Sequence, residues 1–341
     1  MQRAHLVELL ESGGDITVVG EAGTATEAIE VVGRLHPDVV TLDLHIPGGG
    51  GLHALEQIMA FNPTPVVVLS STVEDDRSAP AIAALVAGAL IAMPKPVRWT
   101  PELEKELRAN VQVARSVPVI RHMRGRLRPR TADATSTSAP ADPGPGSRRS
   151  AKPPVVAIAA STGGPPALAT VLSNLAGLQS PVLIVQHLHP DFVAGLVEWM
   201  KRVSSLPVLL AEHGQPARNG HVHVAPGGLH LRLGAGSRLE LTERPASIHR
   251  PSADQLFSSV AETAGALAIG VILTGMGDDG AAGLASMHAA GAHTIAQDAS
   301  TSAVYGMPRA AFRLGAVDRV LALPEIAAAI LVAAQRLMVH R

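Results

Sequence analysis

The sequence predicts an α/β protein built from two doubly wound, mostly parallel sheets. Short apolar runs rich in Val, Ile and Leu alternate along the chain with Ala-rich segments of helical periodicity. A stretch poor in apolar residues and rich in Pro, Ser, Thr and Gly interrupts this alternation and is typical of a flexible linker. We therefore expect a first domain over residues 1–115, a linker over 116–153 and a second domain over 154–341.

The composition narrows the function classes. Hydrophobic residues make up 47% of the 341 residues and aromatic residues only 2%, so both cores must consist of Ala, Leu, Val and Ile. The absence of cysteine excludes disulfides and thiolate chemistry, and a net charge of −1 provides no general attraction for nucleic acid or membrane. Without a signal-peptide pattern or an apolar run long enough to span a bilayer, we expect a soluble, cytoplasmic protein.

The first domain should alternate helices and strands in chain order. The pattern predicts a helix ending at 6–10, a strand at 16–20, a helix at 24–35, a strand at 38–42, a helix at 52–61, a strand at 65–69, a helix to 88 and a strand at 89–93. Asp43, Ser70 and Lys95 each follow one of the strands. Because parallel strands end at one edge of a sheet, these three side chains should lie close together.

The motifs V-T-L-D-L-H-I-P, T-P-V-V-V-L-S-S and the terminal K-P resemble the receiver domain of two-component response regulators. The resemblance implies a flavodoxin-like fold in which Asp43 accepts a phosphoryl group, Ser70 is the switch hydroxyl and Lys95 contacts the phosphate. A receiver normally opens with a strand that ends in two Mg²⁺-binding acids, and this sequence begins after that point. Binding of Mg²⁺ is therefore doubtful. We interpret the missing first strand as the result of a start codon that is assigned too late. A degenerate receiver is the alternative.

The second domain continues the alternation. We expect strands at 155–160, 181–186, 208–212, 221–225, 266–274 and 293–296, and helices at 166–175, 191–203, 281–290, near 308 and at 324–337. The Gly-rich segment from His230 to Thr242 predicts an antiparallel hairpin. Ser252 and Gln255 have the spacing of a capping box and predict the start of another helix.

Three of these strands end in residues that together suit acyl transfer. Ser161, His187 and the pair Asp278-Asp279 would supply a nucleophile, a base and an orienting carboxylate at one sheet edge. Backbone N–H groups after Ser161 and near Met276 would form an oxyanion hole.

The motifs A-S-T-G-G, I-V-Q-H, H-R-P-S-x-D, V-I-L-T-G-M-G-x-D-G and G-M-P-R-A-A closely resemble the catalytic domain of the chemotaxis response regulator protein-glutamate methylesterases. The resemblance implies a triad of Ser161, His187 and Asp279, with Thr162 and Met276 at the oxyanion site and no metal in the catalytic domain. It also implies hydrolysis of glutamate γ-methyl esters on methyl-accepting chemotaxis receptors, and allows deamidation of glutamines. A chemotaxis histidine kinase would donate the phosphoryl group, and phosphorylation would relieve a block of the active site by the receiver.

Other interpretations stay open from the residues alone. A small-molecule esterase or amidase with a regulatory receiver, or a non-enzymatic output module, would carry the same domain order. A dinucleotide-binding protein is less consistent, since G-x-G-x-x-G is absent. His221 and His223 share a strand face but lack a third metal ligand, and His249 either contacts substrate or supports the start of a helix.

Overall fold

The computed structural model describes residues 2–71, 78–96, 98–117 and 153–339. Almost all of the predicted linker, 116–153, therefore falls outside the described residues. Within them the strands form one three-stranded sheet, one seven-stranded sheet and one antiparallel pair. None of the described helices combines the length and apolar character needed to cross a bilayer.

The N-terminal sheet is parallel, in the order β1-β2-β3. Its strands and its five helices are β1 (Val40–Asp43), β2 (Val66–Ser71), β3 (Ile91–Lys95), α1 (Gln2–Glu11), α2 (Ala25–Leu35), α3 (Gly50–Phe61), α4 (Ser78–Val86) and α5 (Pro101–Arg115). The register pairs Asp43 with Leu69 and Ser70 with Pro94, so the three predicted strand-end residues lie at the same edge. The alternation predicted for this region is confirmed from α2 to β3.

Local capping explains where two of these helices begin. The hydroxyl of Thr24 accepts a hydrogen bond from the N–H of Glu27 at 3.2 Å, which is an N-cap at the start of α2. Thr100 caps α5 in the same way, followed by Pro101 at a position that suits proline. Helix α5 was not predicted, although its cap and its buried Leu107 and Val111 follow helical spacing.

The strand predicted at residues 16–20 is wrong. These residues are assigned no regular secondary structure, and in the described part of the chain no strand pairs with them. A strand needs a neighbour to satisfy its backbone groups, and here the N–H of Val18 instead donates to the carboxylate of Glu11 at 2.9 Å. Ile16 and Val18 still pack against an apolar cluster that includes residues of α1, β2, β3 and α5. Burial of the apolar residues is therefore retained without a ladder.

The C-terminal sheet has seven parallel strands in the order β12-β11-β10-β4-β5-β7-β6. Their bounds are β4 (Val155–Ala160), β5 (Val182–Gln186), β6 (Val208–Leu210), β7 (Val222–Val224), β10 (Ala268–Ile272), β11 (His293–Gln297) and β12 (Arg319–Leu321). The three central strands β10, β4 and β5 are buried along their whole length, which explains their unbroken apolar sequence. The short edge strand β12 was not predicted, because two of its three residues are exposed.

Helices and one hairpin complete this region. The helices are α6 (Gly164–Leu172), α7 (Pro190–Val203), α8 (Ala253–Ala264), α9 (Ala281–Ala289), α10 (Met307–Arg313) and α11 (Leu323–Val339). The predicted hairpin is confirmed as β8 (His230–Gly234) and β9 (Arg238–Thr242), paired antiparallel. Ser252 caps α8 as predicted, but the Gln255 side chain accepts from Arg232 instead of closing the capping box.

Helix α4 of the N-terminal region packs against α6 and α7 of the C-terminal region. Ile82 of α4 and Phe192 of α7 belong to one continuous cluster of buried apolar residues. Since α7 begins at Pro190, this contact lies on the helix that directly follows His187.

Candidate active site

Three neighbouring strands bring the predicted triad to one edge of the seven-stranded sheet. Ser161 follows β4, His187 follows β5, and Asp279 lies in the loop after β10. Hydrogen bonds continue the strand register into these ends: His187 N–H donates to Ala160 O at 3.0 Å, and Ser161 N–H donates to Thr274 O at 3.0 Å. The backbone thus carries a hydroxyl, an imidazole and a carboxylate to adjacent positions.

His187 and Asp279 form a direct hydrogen bond. Nε2 of His187 lies 2.8 Å from Oδ2 of Asp279, and the two side chains are only 8% and 11% exposed. Burial by itself would raise the pKa of Asp279, but the hydrogen bond and charge of His187 and the backbone N–H groups of Ala253 and Asp254 hold that pKa well below its usual value. Asp279 is therefore a carboxylate at neutral pH and fixes the proton of His187 on Nε2.

The first turn of α8 binds the carboxylate of Asp279. Oδ1 accepts from the Ser252 hydroxyl at 2.8 Å and from Asp254 N–H at 3.1 Å, while Oδ2 accepts from Ala253 N–H at 2.7 Å. The N-terminus of a helix favours a negative charge through its free N–H groups and its dipole. Both oxygens of Asp279 are thus held in place, and the carboxylate is oriented before any substrate arrives.

Asp254 returns the same interaction to the next helix. Its Oδ1 accepts from Gly280 N–H at 3.0 Å and from Gly283 N–H at 2.7 Å, at the start of α9. Burial raises the pKa of Asp254; the N–H of Gly283 opposes this effect and the charge of Asp279 adds to it. A Cβ at Gly283 would lie 2.7 Å from the Asp254 carbonyl oxygen, so glycine is needed for this approach. The start of α8 therefore binds the carboxylate of Asp279, and the start of α9 binds the carboxylate of Asp254. Gly280 is the residue after Asp279 in the chain.

Gln186 connects the backbones of Ser161 and His187. Its Nε2 donates to Ser161 O at 2.8 Å and to His187 O at 2.9 Å. A Cβ at Gly164 would lie 1.9 Å from the Gln186 side-chain oxygen, and a Cβ at Gly275 would lie 2.8 Å from the Ser161 Cβ. Gln186 was not predicted as a functional residue, although it lies within the motif I-V-Q-H.

The second ring nitrogen of His187 remains available. Nδ1 is buried and accepts no hydrogen bond from any described residue, so the Ser161–His187 hydrogen bond is not formed in this structure. Since Asp279 occupies Nε2, Nδ1 is the nitrogen left to take a proton from a hydroxyl. Catalytic hydrogen bonds are often long before substrate binds, so this geometry is compatible with a serine nucleophile.

Thr162 and Met276 flank Ser161 from two loops. Thr162 follows Ser161 in the turn before α6, and Met276 follows the Thr274-Gly275 segment that bonds to the Ser161 backbone. Within the described ranges, no backbone carbonyl or side chain accepts from the N–H of Thr162 or Met276. These two N–H groups are the donors that the family resemblance assigned to the oxyanion site.

The N-terminal sheet brings together Asp43 and Lys95. Nζ of Lys95 lies 2.6 Å from Oδ2 of Asp43, and His45 N–H donates to Oδ1 at 2.8 Å. Both charged side chains are about one quarter exposed, at 24% for Asp43 and 25% for Lys95. Ser70 lies on the adjacent strand, fully buried, and its hydroxyl has no hydrogen-bond partner among the described residues.

The Mg²⁺ that the receiver resemblance implies would need further carboxylate ligands beside Asp43. In the part of the chain that the structure describes, no group of three or more His, Asp or Glu side chains could hold a metal. The carboxylate of Asp43 instead pairs with a cation. Among the described residues, Asp43 therefore has no group of further His, Asp or Glu side chains with which to hold Mg²⁺.

Comparison with known proteins agrees with both regions. Residues 156–330 match the CheB methylesterase family, and residues 1–108 match the response regulator receiver domain. Protein-glutamate methylesterase/protein-glutamine glutaminase 4 of Myxococcus xanthus is 41% identical over 332 residues, covering 95% of this chain and 92% of the relative. Protein-glutamate methylesterase/protein-glutamine glutaminase 2 of Anaeromyxobacter dehalogenans is 43% identical over 319 residues, covering 93% and 88%.

A solved structure supports the fold of the C-terminal region. The Thermotoga maritima CheB methylesterase catalytic domain matches with a TM-score of 0.50 and 33% identity, covering 55% of this chain and 98% of that chain. Fold and site together define a response regulator with a receiver domain followed by a hydrolase domain that has a mostly parallel sheet. More specifically, the chain belongs to the CheB methylesterase family.

Proposed function

We propose that this chain hydrolyses γ-methyl esters of glutamate side chains on methyl-accepting chemotaxis receptors. The observation that carries the proposal is the 2.8 Å hydrogen bond between His187 and Asp279, at the sheet edge where Ser161 follows the adjacent strand. This arrangement provides a base that is already oriented beside a hydroxyl. The names of the relatives point to the same ester and to glutamine side chains.

The reaction proceeds in two halves. Ser161 Oγ attacks the ester carbonyl carbon while Nδ1 of His187 takes its proton, and Asp279 stabilises the resulting imidazolium. The N–H groups of Thr162 and Met276 donate to the oxyanion. His187 then returns the proton to the departing methoxy oxygen, so methanol leaves and a glutamyl ester of Ser161 remains. Water, deprotonated by His187, cleaves that ester and regenerates the hydroxyl and a free glutamate. A glutamine substrate would follow the same steps with ammonia as the leaving group.

We assign the control of this reaction to the receiver region. Residues 1–115 form the receiver, 116–153 the linker and 154–341 the catalytic domain, and Asp43 is the phosphoryl acceptor, with Lys95 and Ser70 reading the new charge. The histidine kinase of the chemotaxis pathway is the proposed donor. The pairing of Asp43 with Lys95 supports this assignment. The packing of α4 on α7 supports a coupling between the receiver region and the helix that follows His187.

The test measures methanol released from receptor membranes that carry labelled methyl esters. We expect Ser161→Ala to lower the rate at least about a thousandfold, as for other serine nucleophiles. Ser173→Ala is the matched control, because Ser173 is an exposed residue at the end of α6. Equal release by wild type and Ser161→Ala would refute the mechanism. Hydrolysis of a small glutamate methyl ester without any release from the receptor would favour a small-molecule esterase instead.

A further inference from the structure

The ring of His249 lies flat against the ring of His187. The two ring centroids are 4.3 Å apart and the planes differ by 11°, which is a stacked pair. His249 belongs to the loop between β9 and α8, far from His187 in sequence. The imidazole that takes the proton from Ser161 in the proposed reaction is thus covered on one face by a second imidazole.

Hydrogen bonding restrains the ring plane of His187 through one nitrogen only among the described residues. Its hydrogen bond to Asp279 fixes one nitrogen, whereas Nδ1 has no partner among the described residues. The last torsion of a histidine side chain has broad minima, so one hydrogen bond leaves the ring able to tilt. A flat surface in contact with the ring removes this freedom, because tilting would require the two rings to overlap or separate.

The loop that carries His249 is itself held on both sides. The hydroxyl of Ser247 donates to the His249 carbonyl oxygen, and Gly228 N–H donates to the Arg250 carbonyl oxygen at 3.3 Å. On the other side, Ser252 N–H donates to the ring of the buried His230 at 3.1 Å. These contacts hold the backbone on both sides of His249, which itself lies in an exposed part of the loop.

Burial of the ring favours the neutral form of His249. Burial lowers the pKa of His249, and the charge of His187 lowers it further, while Asp279 and Asp278 oppose this effect. A neutral ring can stay in contact when His187 becomes an imidazolium during the reaction, whereas a second cation would be repelled.

We propose that His249 is a positioning residue that holds the plane of the His187 ring, so that Nε2 stays on Asp279 while Nδ1 exchanges a proton with Ser161. His249 acts through the face of its ring and transfers no proton. This inference rests on the proposed function, since it assigns His187 the role of base.

The experiment compares His249→Phe, which keeps a flat ring, with His249→Ala, which removes it. His293→Ala is the control, because His293 is exposed on β11. For His249→Ala we expect kcat per folded enzyme to fall about 10- to 100-fold, with KM changed less than about threefold, because misplacing a reacting group costs rate more than affinity. We expect His249→Phe to keep kcat within about threefold of wild type.

Proton NMR provides a second readout that a merely structural role would not move. The proton between His187 and Asp279 should give a low-field resonance in wild type and His249→Phe, and this signal should broaden in His249→Ala. The proposal is overturned if His249→Ala keeps both the wild-type kcat and the resonance, or if His249→Phe loses as much as His249→Ala. If His249→Ala does not fold, His249→Gln replaces it with the same criteria. If wild type releases no methanol, the proposed function fails, and the resonance alone decides the role of His249.

Discussion

Two aspartates lie at the carboxyl edges of two parallel sheets, and their surroundings differ sharply. Asp279 receives hydrogen bonds on both oxygens, from one imidazole, one hydroxyl and two N–H groups of a helix start. Among the described residues, Asp43 forms an ion pair with Lys95 and accepts a hydrogen bond from His45 N–H, and Nδ1 of His45 lies 4.0 Å from Oδ1; its side chain is about twice as exposed as that of Asp279, at 24% against 11%.

The difference reflects what each carboxylate can do chemically. A carboxylate whose lone pairs are all used cannot attack or bind another group, but it holds its charge and its direction. Asp279 is therefore suited to orient His187. A carboxylate that is partly exposed and has a cation beside it keeps an oxygen accessible and can accept a new anionic group next to that cation. Asp43 is suited to modification in this way.

The largest expected effect is a loss of the hydrolysis rate, which removal of Asp279 should cause and removal of Asp43 should not. Asp279→Ala should lower methanol release about 10³- to 10⁴-fold, because His187 loses the partner that fixes its tautomer. Asp43→Ala, assayed without a phosphoryl donor, should keep the rate within about threefold, since Asp43 does not contact the reacting groups.

A rate in Asp279→Ala within tenfold of wild type would break the comparison, because the fixed carboxylate would then be no more important to hydrolysis than the open one. Circular dichroism of both variants controls for folding. Asp279→Asn, which keeps the shape of the side chain, separates loss of charge from loss of packing.

The next largest expected effect is a loss of stability of the C-terminal region in acid. His223 on β7 is fully buried, and burial, assisted by the charge of His221, lowers its pKa to about 4. The folded state then resists a proton that the unfolded chain accepts below its usual pKa of 6.5. The stability that His223 contributes is therefore fully present above pH 6.5 and is lost as pH falls towards 4, by at most about 3 kcal/mol.

Urea unfolding at pH 7.5 and 5.0, followed by the fluorescence of Trp199 in Trp99→Phe, measures this loss in the C-terminal region. His223→Leu should unfold with a smaller difference between the two pH values, and His293→Gln should behave as wild type. If His223→Leu shows the same pH dependence as wild type, another group causes the acid sensitivity.

Removal of the Asp254 carboxylate, which binds the start of α9, should have a smaller effect on stability and rate. Asp254→Ala leaves the N–H groups of Gly280 and Gly283 without acceptors and should cost about 1–2 kcal/mol of unfolding free energy. Gly280 is the residue after Asp279 in the chain, so a displaced Gly280 should shift the Asp279 carboxylate. We therefore also expect kcat to fall about tenfold. Asp254→Asn keeps the accepting oxygen and is the matched control. Equal kcat in Asp254→Ala and wild type would show that Asp279 is held by α8 alone.

The ion pair in the N-terminal region should matter least for stability. Lys95→Ala should change the unfolding free energy by less than about 1 kcal/mol, because a partly exposed pair is screened by water and salt. Fluorescence of Trp99 in Trp199→Phe reports unfolding of this region. A loss above about 2 kcal/mol would mean that Asp43 is as firmly built into its sheet as Asp279, and would remove the distinction drawn between them.

Much of the architecture followed from local signals. The cap at Ser252 and the hairpin around Gly234 are short-range patterns, and the structure confirms both of them. The strand predicted at residues 16–20 failed because pairing depends on a neighbour, which local pattern does not reveal. The short edge strand β12 was missed for a related reason, since exposed residues carry no apolar signal.

For the candidate site, the sequence by itself determined which chemical groups follow the central strands, namely Ser161, His187 and the pair Asp278-Asp279, because buried strands are recognisable as apolar runs, and the family resemblance chose Asp279 from the pair. Only the tertiary structure decided how these groups are held. Residues distant in the chain make these contacts. The start of α8 binds Asp279, and the start of α9 binds Asp254. Gln186 donates to the Ser161 carbonyl oxygen, and the His249 ring stacks on His187. Their geometry depends on how helices and loops pack around the sheet, and sequence periodicity contains no information about those distances.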